Sequence, residues 1–333
     1  MPSPNSTFTE MVTTTMRKHY RKVVDNVTDH NALLTYLKER GHIKTDASGG
    51  YEIAIPLSHS ENSTYQRYSG YDTLNIGASD VLSAAKYDWS QVALHVTASG
   101  RELRMNNSEE RMINLVKART DVAFATAANN MSVDLYSDGA LANQIGGLAH
   151  MITNDGTGTV GGIVAGTYTF WKNKFQEVAG GDVSVDGALT GTALTYANLR
   201  AAMNQLWLAT NRGNDRPDLI IASHDMYSLY ESGLQELQRY GDAKMGALGF
   251  EALKYKNATI IFDDNTNFGT TAERMYFLNT KYLYLMEHPD ARWTEDDEKT
   301  PVNQDAVVVP IYWMGQLVCS NRSLQGVLFD VAT

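Results

Sequence analysis

The sequence predicts an α+β fold, and three observations predict it. Asn107 to Tyr136 (NSEERMINLVKARTDVAFATAANNMSVDLY) carries helical periodicity with no Pro or Gly to interrupt it. A long β-rich excursion, residues 45–104, precedes it. Strand and helix patterns then alternate in the manner of a small α/β domain with mixed pairing.

Residues 1–28 are poor in apolar side chains and begin with Pro2 and Pro4, which describes an extended arm. Arg17, Lys18, Arg21 and Lys22 form a basic cluster within it. Such a cluster suits a solvated face or an arm that grips an acidic neighbour. Asp29 to Arg40 (DHNALLTYLKER) is an amphipathic helix with Asp29 as cap, a Leu33, Leu34 and Leu37 stripe, and Gly41 as its stop.

In the excursion, Tyr51 to Ile55 alternates as a strand, and Pro56 marks an edge or an end. A polar run rich in Ser, Tyr and Asn follows, and then a second strand in which Val92, Leu94 and Val96 alternate with Ala93, His95 and Thr97. The pattern is a long hairpin whose tip has no core of its own. Two-stranded ribbons are marginal alone, and their edges invite aggregation unless covered. Tyr65, Arg67, Tyr68, Tyr71 and Leu74 occupy the tip and require a covering surface. If the rest of the chain does not supply it, another subunit must.

The long helix starts with Asn107 as N-cap and Glu110 as the capping-box acid. Its apolar positions are Met112, Leu115, Val116, Val122, Ala123, Ala127 and Met131, and Ser137-Asp138-Gly139 stops it. Thirty residues make a rod of about 45 Å. Beyond it come a Gly-rich stretch, a helix from near Thr195 to Thr210, a buried strand at Leu219–Ala222 and a helix at Met226–Tyr240. Strands are expected at Ala258–Phe262, Met275–Leu278, Tyr282–Met286, Ala306–Ile311 and Gln316–Ser320.

The 333 residues have 43% hydrophobic content and a formal net charge of −10, an ordinary globular composition with no phosphate-gripping surplus of cations. One cysteine, Cys319, excludes an intrachain disulfide and reads as a small buried hydrophobe. No apolar run approaches the roughly 20 residues that span a bilayer, and the polar N-terminus is no signal peptide.

Motifs of catalysis fail on context. Gly156 to Gly161 matches GxGxxG, but no helix pattern follows to present amides to a pyrophosphate, so a Gly-rich turn is expected. Ser223-His224-Asp225 are sequence neighbours and cannot orient one another as a triad; Ser223 or Asp225 serves better as a helix cap. Asp263 to Asn267 begins like a calcium loop, yet Gly269 is one place late and Arg274 stands where Glu is needed. Glu295 to Glu298 reads as a solvated charge run. The eight His are scattered, so no metal, cofactor or catalytic residue is assigned.

The order of features resembles the tailed-bacteriophage major capsid proteins of the Hong Kong 97 fold. The join Ala98-Ser99-Gly100-Arg101-Glu102-Leu103 into the helix carries the resemblance, with Ile145-Gly146-Gly147-Leu148, Gly161-Gly162-Ile163 and Phe170-Trp171-Lys172-Asn173. So do Pro217-Asp218-Leu219-Ile220, Arg292-Trp293 and Trp313-Met314-Gly315-Gln316-Leu317. It implies an N-terminal arm and short helix (1–44), an extended β-hairpin loop (45–104) and a peripheral domain with the spine helix (105–160). An axial α/β domain (161–285) and returning C-terminal strands (286–333) complete it.

By the same resemblance, copies form hexamers and pentamers of an icosahedral shell around double-stranded DNA, assembled in a bacterial cytoplasm. Subunit contacts would use Arg17, Lys18, Arg21, Lys22 and the tip residues. Portal, and possible separate scaffolding and decoration proteins, are the expected partners. Many relatives carry a long N-terminal scaffolding segment that a protease removes; the arm here is short, so such cleavage is not expected. Some relatives cross-link a loop Lys to a neighbour's Asn. Lys86 alone lies between Lys44 and Lys117, without a partner signature, and no cross-link is expected. An encapsulin-type nanocompartment, which resembles the same fold, is the alternative reading, and an α/β enzyme with an insertion is the third.

Overall fold

A computed structural model describes residues 31–45, 50–105, 109–178, 194–234, 252–264, 268, 273–296 and 299–330. The basic cluster at Arg17–Lys22, the proposed caps Asp29 and Asn107, and the side chains of Met112, Leu115 and Val116 lie outside the described part.

Helix α1 (Ala32–Glu39) is capped by Asn31, not Asp29: its Oδ1 accepts from the Leu34 amide at 2.9 Å. Gly41, at φ +70°, ends it and donates to the Lys38 carbonyl. Leu33, Leu34 and Leu37 are all buried. Strand β1 (Ile43–Thr45) follows, then β2 (Glu52–Ser58) and β3 (Leu82–Asp88), which form an antiparallel ribbon from Glu52↔Asp88 to Ser58↔Leu82. The expected hairpin partner at Val92–Val96 is therefore wrong. Those residues belong to β4 (Ser90–Ser99), which enters the body of the protein.

At the end of β4 the chain turns into the short helix α2 (Gly100–Met105) through a capping box. Glu102 Oε2 accepts from the Ser99 amide at 3.1 Å, and the Glu102 amide donates back to Ser99 Oγ at 3.3 Å. The spine α3 (Glu109–Asp134) then runs 26 residues, about 39 Å. Arg119 reaches from it to Glu102 Oε1 and to the Thr97 carbonyl, fastening helix, cap and strand together. Among its described side chains, the buried ones are Thr120, Phe124, Ala127, Ala128 and Met131, spaced at three and four, with Leu135 continuing the line. Val122, expected in that stripe, is 66% exposed.

Gly147 explains the turn beyond the spine. A Cβ there would stand 2.5 Å from both the Asp134 carbonyl oxygen and the Ser137 nitrogen. The chain can pass under the helix end only without a side chain. Helix α4 (Leu148–Met151) follows, then β5 (Thr159–Val160), β6 (Ile163–Val164) and β7 (Lys174–Glu177).

Helix α5 (Tyr196–Thr210) starts at a Thr195 cap, as the sequence predicts. Strand β8 (Leu219–Ser223) is wholly buried and leads into α6 (His224–Leu234); residues 235–240 of the expected helix lie outside the described part. Strands β9 (Ala252–Tyr255), β10 (Ala258–Asp263), β11 (Arg274–Leu278), β12 (Leu283–Glu295), β13 (Ala306–Cys319) and β14 (Gly326–Phe329) complete the chain. The two short strands expected at 306–311 and 316–320 are one strand of 14 residues, and the strand expected at 282–286 runs on to Glu295.

Two main sheets result. A four-stranded sheet has the order β1-β12-β13-β4, and a six-stranded mixed sheet the order β7-β14-β11-β8-β10-β9. Both faces of the larger sheet are covered, which is why β8 reads as a continuous apolar run. Ile220 packs in a core with Leu199, Met203 and Leu206 of α5. Its neighbour Ile221 packs in the main core with Leu33 and Leu37 of α1. Tyr36 closes that side by donating to Asp218. Among the described residues, no helix is long and apolar enough to cross a membrane.

Two predictions rest on this frame. Ala123→Pro removes a helix bond in mid-spine and clashes with the preceding turn, so denaturant unfolding should show a loss of about 3 kcal/mol or more. Glu102 is held down to a pKa of about 2 by the Arg119 guanidinium first and then by its bonds with Ser99. A depressed carboxylate contributes stability above its ordinary value of 4.5 and loses it as pH falls toward 2. The unfolding midpoint should therefore drop more steeply with acid in the native chain than in Glu102→Gln; parallel curves would refute it.

Candidate inter-subunit surface

The β2–β3 ribbon is half built into the body. Along β2, Ile53, Ile55 and Leu57 are buried while the residues between them face out, and Ala85 and Tyr87 do the same on β3. Pro56 lies inside β2, tolerated because each strand of a two-stranded ribbon is an edge.

Three contacts hold the root. The Tyr87 hydroxyl donates to the Cys319 carbonyl at 2.7 Å and accepts from the Cys319 amide at 3.3 Å. Burial pushes that phenol well above its ordinary pKa, so it stays a donor. The Lys86 amide donates to the Gly161 carbonyl at 2.9 Å. Gly161 and Gly162, at φ +59° and +73°, form the two-residue turn between β5 and β6. The last glycine of the GxGxxG motif thus opens a hairpin turn pressed against the ribbon.

Beyond Ser58 the pairing ends. The His59 amide bonds to the Val81 carbonyl, and residues 60–80 contain no helix or strand. Short polar bonds hold this tip: Ser60 Oγ to the Asp80 carbonyl, Gln66 Nε2 to the Thr73 carbonyl, and the Ser69 amide to Asp72. Tyr65, Tyr68 and Tyr71 are 82%, 66% and 106% exposed, and Leu74 and Arg67 are exposed beside them. Sequence reasoning passed over Ile76 and Leu82, 92% and 72% exposed. The spacing of Leu74 and Ile76, two apart in a polar run, was the available signal.

Other candidate chemistry disperses. Ser223 is fully buried and its hydroxyl accepts from the Arg274 amide, while His224 and Asp225 are exposed. Asp263 accepts from the Tyr136 hydroxyl at 2.7 Å, tying the spine's end to the large sheet. Cys319 is buried, and burial pushes its thiol up to about 12, far from a reactive thiolate. Among the described residues, no three His, Cys, Asp or Glu side chains are grouped to hold a metal.

The ribbon root is testable at adjacent glycines. A Cβ on Gly161 would stand 2.9 Å from the Ala85 Cβ, whereas one on Gly162 would meet nothing within 4 Å. Both changes strain a left-handed residue. Gly161→Ala should cost about 2–4 kcal/mol in thermal or denaturant unfolding, and Gly162→Ala about 1. Equal costs would mean that the turn does not support the ribbon.

No family model matches the sequence, and no curated protein matches it. Solved structures do match the fold. The capsid asymmetric unit of cyanophage A-1(L) has a TM-score of 0.59 at 15% identity, over 88% of this chain and 91% of that one. A structure from Mycobacterium phage Bobi gives 0.54 at 9% identity, over 88% and 90%. The capsid of a native GTA particle gives 0.51 at 12% identity, over 88% and 89%. Across nearly its whole length, this chain has the α+β fold of the Hong Kong 97-like phage capsid proteins.

Proposed function

We propose that this chain is the repeating subunit of an icosahedral capsid, a structural protein and not an enzyme. Copies assemble as hexamers and pentamers into the shell of a tailed phage, formed in the host cytoplasm and filled with double-stranded DNA. A portal, and scaffolding or decoration proteins where the phage uses them, are its further partners. The observation that carries this reading is the tip. Tyr65, Tyr68, Tyr71, Ile76 and Leu82 project on a ribbon that the subunit's own core leaves uncovered. Contiguous exposed apolar side chains mark an interaction surface. In the assembled shell the tip, with Arg67 and Leu74, lies on a neighbouring copy. The formal net charge of −10 fits a wall that confines DNA without gripping it, because an acidic subunit resists sticking to nucleic acid before assembly.

Removing residues 60–79 should leave a folded subunit that forms no closed particles in negative-stain images. Tyr65→Ser, Tyr68→Ser and Tyr71→Ser combined should act in the same direction without shortening the chain. Closed shells of normal size from either variant would remove the tip from the interface. Particles of the native chain should contain DNA; a protein cargo in its place would make the chain a nanocompartment shell.

A further inference from the structure

A cleft of about 700 Å³ lies on the four-stranded sheet, and no residue of the ribbon tip lines it. Trp89 and Tyr312 are among its walls, and Asp290, Glu295 and Asp296 supply its charge; no Lys or Arg lines it. Between Asp290 and Lys299 the sequence carries five carboxylates against two cations. The cleft already accommodates one cation at its rim. Lys299 places its ammonium on Asp296 and 6.0 Å from the centre of the Tyr312 ring. Carboxylates beside aromatic faces suit a cationic, aromatic-bearing segment, through ion pairing and cation–π attraction.

The chain contains one such segment outside the described part: Arg17-Lys18-His19-Tyr20-Arg21-Lys22. Its route to the cleft is short. The described chain begins at Asn31, whose Nδ2 donates to Ser132 Oγ near the spine's end at 2.8 Å. Two residues on, Asp134 accepts from Gln144 Nε2 at 3.0 Å, and Asn143, the next residue, lines the cleft. Eight residues, Val23 to His30, separate the basic segment from Asn31 and span up to about 26–29 Å when extended. Asn31 and the cleft wall are linked through only Ser132, Asp134 and Gln144 before Asn143 is reached.

We infer that the cleft between Trp89, Tyr312 and the Asp290–Asp296 carboxylates is the seat of the chain's own basic segment, Arg17–Lys22. The docked segment latches the N-terminal arm across the four-stranded sheet. This holds whether or not the subunit builds a shell.

A water-soluble carbodiimide, which condenses a Lys amine with a touching carboxylate and takes up the water released, tests this on the full-length unassembled chain. Peptide mass spectrometry should find Lys18 or Lys22 joined to Asp290, Glu295 or Asp296 within single-subunit species. Arg17→Glu with Arg21→Glu, which keeps both reporter lysines, should lower that yield at least fivefold, and 1 M salt should lower it likewise. Several outcomes would overturn the inference. One is no linkage of Lys18 or Lys22, or linkage only to carboxylates elsewhere. Another is a yield unaffected by the double substitution. A third is linkage confined to species of twice the subunit mass, which would seat a neighbour's segment there instead.

Discussion

The pairing of β13 is the constraint on which the rest of the structure depends. This strand lies between β12 and β4, matching ten residues of β4 from Ala306↔Ser99 to Gly315↔Ser90. Its central position is hard for a strand that contains Pro310. The difficulty is met locally. The Pro310 carbonyl accepts from the Asp296 amide, so its ring nitrogen faces the same side, where β12 has already ended at Glu295↔Ile311. No ladder bond to β4 is lost. Farther along, Trp313 is buried and stacks on Trp293, and both its indole and Arg292 satisfy the buried carboxylate of Glu287 across an irregularity in β12. Gly315 makes room, since a Cβ there would stand 2.6 Å from the Trp313 ring and 2.7 Å from the Met286 carbonyl.

From its end, β13 also reaches the rest of the molecule. Cys319 receives Tyr87 from the ribbon. Arg322, fully buried, donates to the Met151 and Thr157 carbonyls and to Thr153 Oγ1, gathering the loop after α4. Burying a guanidinium costs desolvation, and the two carbonyl bonds and the hydroxyl bond offset part of it, while Nη1 has no partner among the described residues. The chain then forms β14 within the six-stranded sheet. One stretch thus joins the small sheet, the ribbon root, the Gly-rich hairpin and the large sheet. Among the described residues, a body closed in this way leaves the side chains of the ribbon tip exposed, which is the physical basis for proposing that a neighbour covers them.

Several elements could be read directly because their signals are local. The β8 run, the Thr195 cap, the Gly41 stop and the turn character of Gly156–Gly161 depend on residues within a few positions. The exposed tyrosines of the tip were also legible, because a polar run gives them no apolar partners in sequence. The spine's existence was clear, but its buried face was misjudged at Val122. That face is made of Thr120, Ala127 and Ala128 as much as of Phe124 and Met131, and small residues give weak periodicity.

By itself, the sequence determined the mixed α+β class and the places of its long helices and of the buried strand β8. It also determined that some hydrophobic surface would stay outside the core. Only the tertiary structure decided strand partners. β3 (LSAAKYD) buries only Ala85 and Tyr87 and hardly looks like a strand, while β4 shows the clearer alternation yet pairs some two hundred residues away. Partner choice depends on non-local ladders and the core they close, which no window of neighbouring residues contains. The cleft was hidden for the same reason. Its acidic run reads as a solvated loop until β12 and β13 bring it beside Trp89.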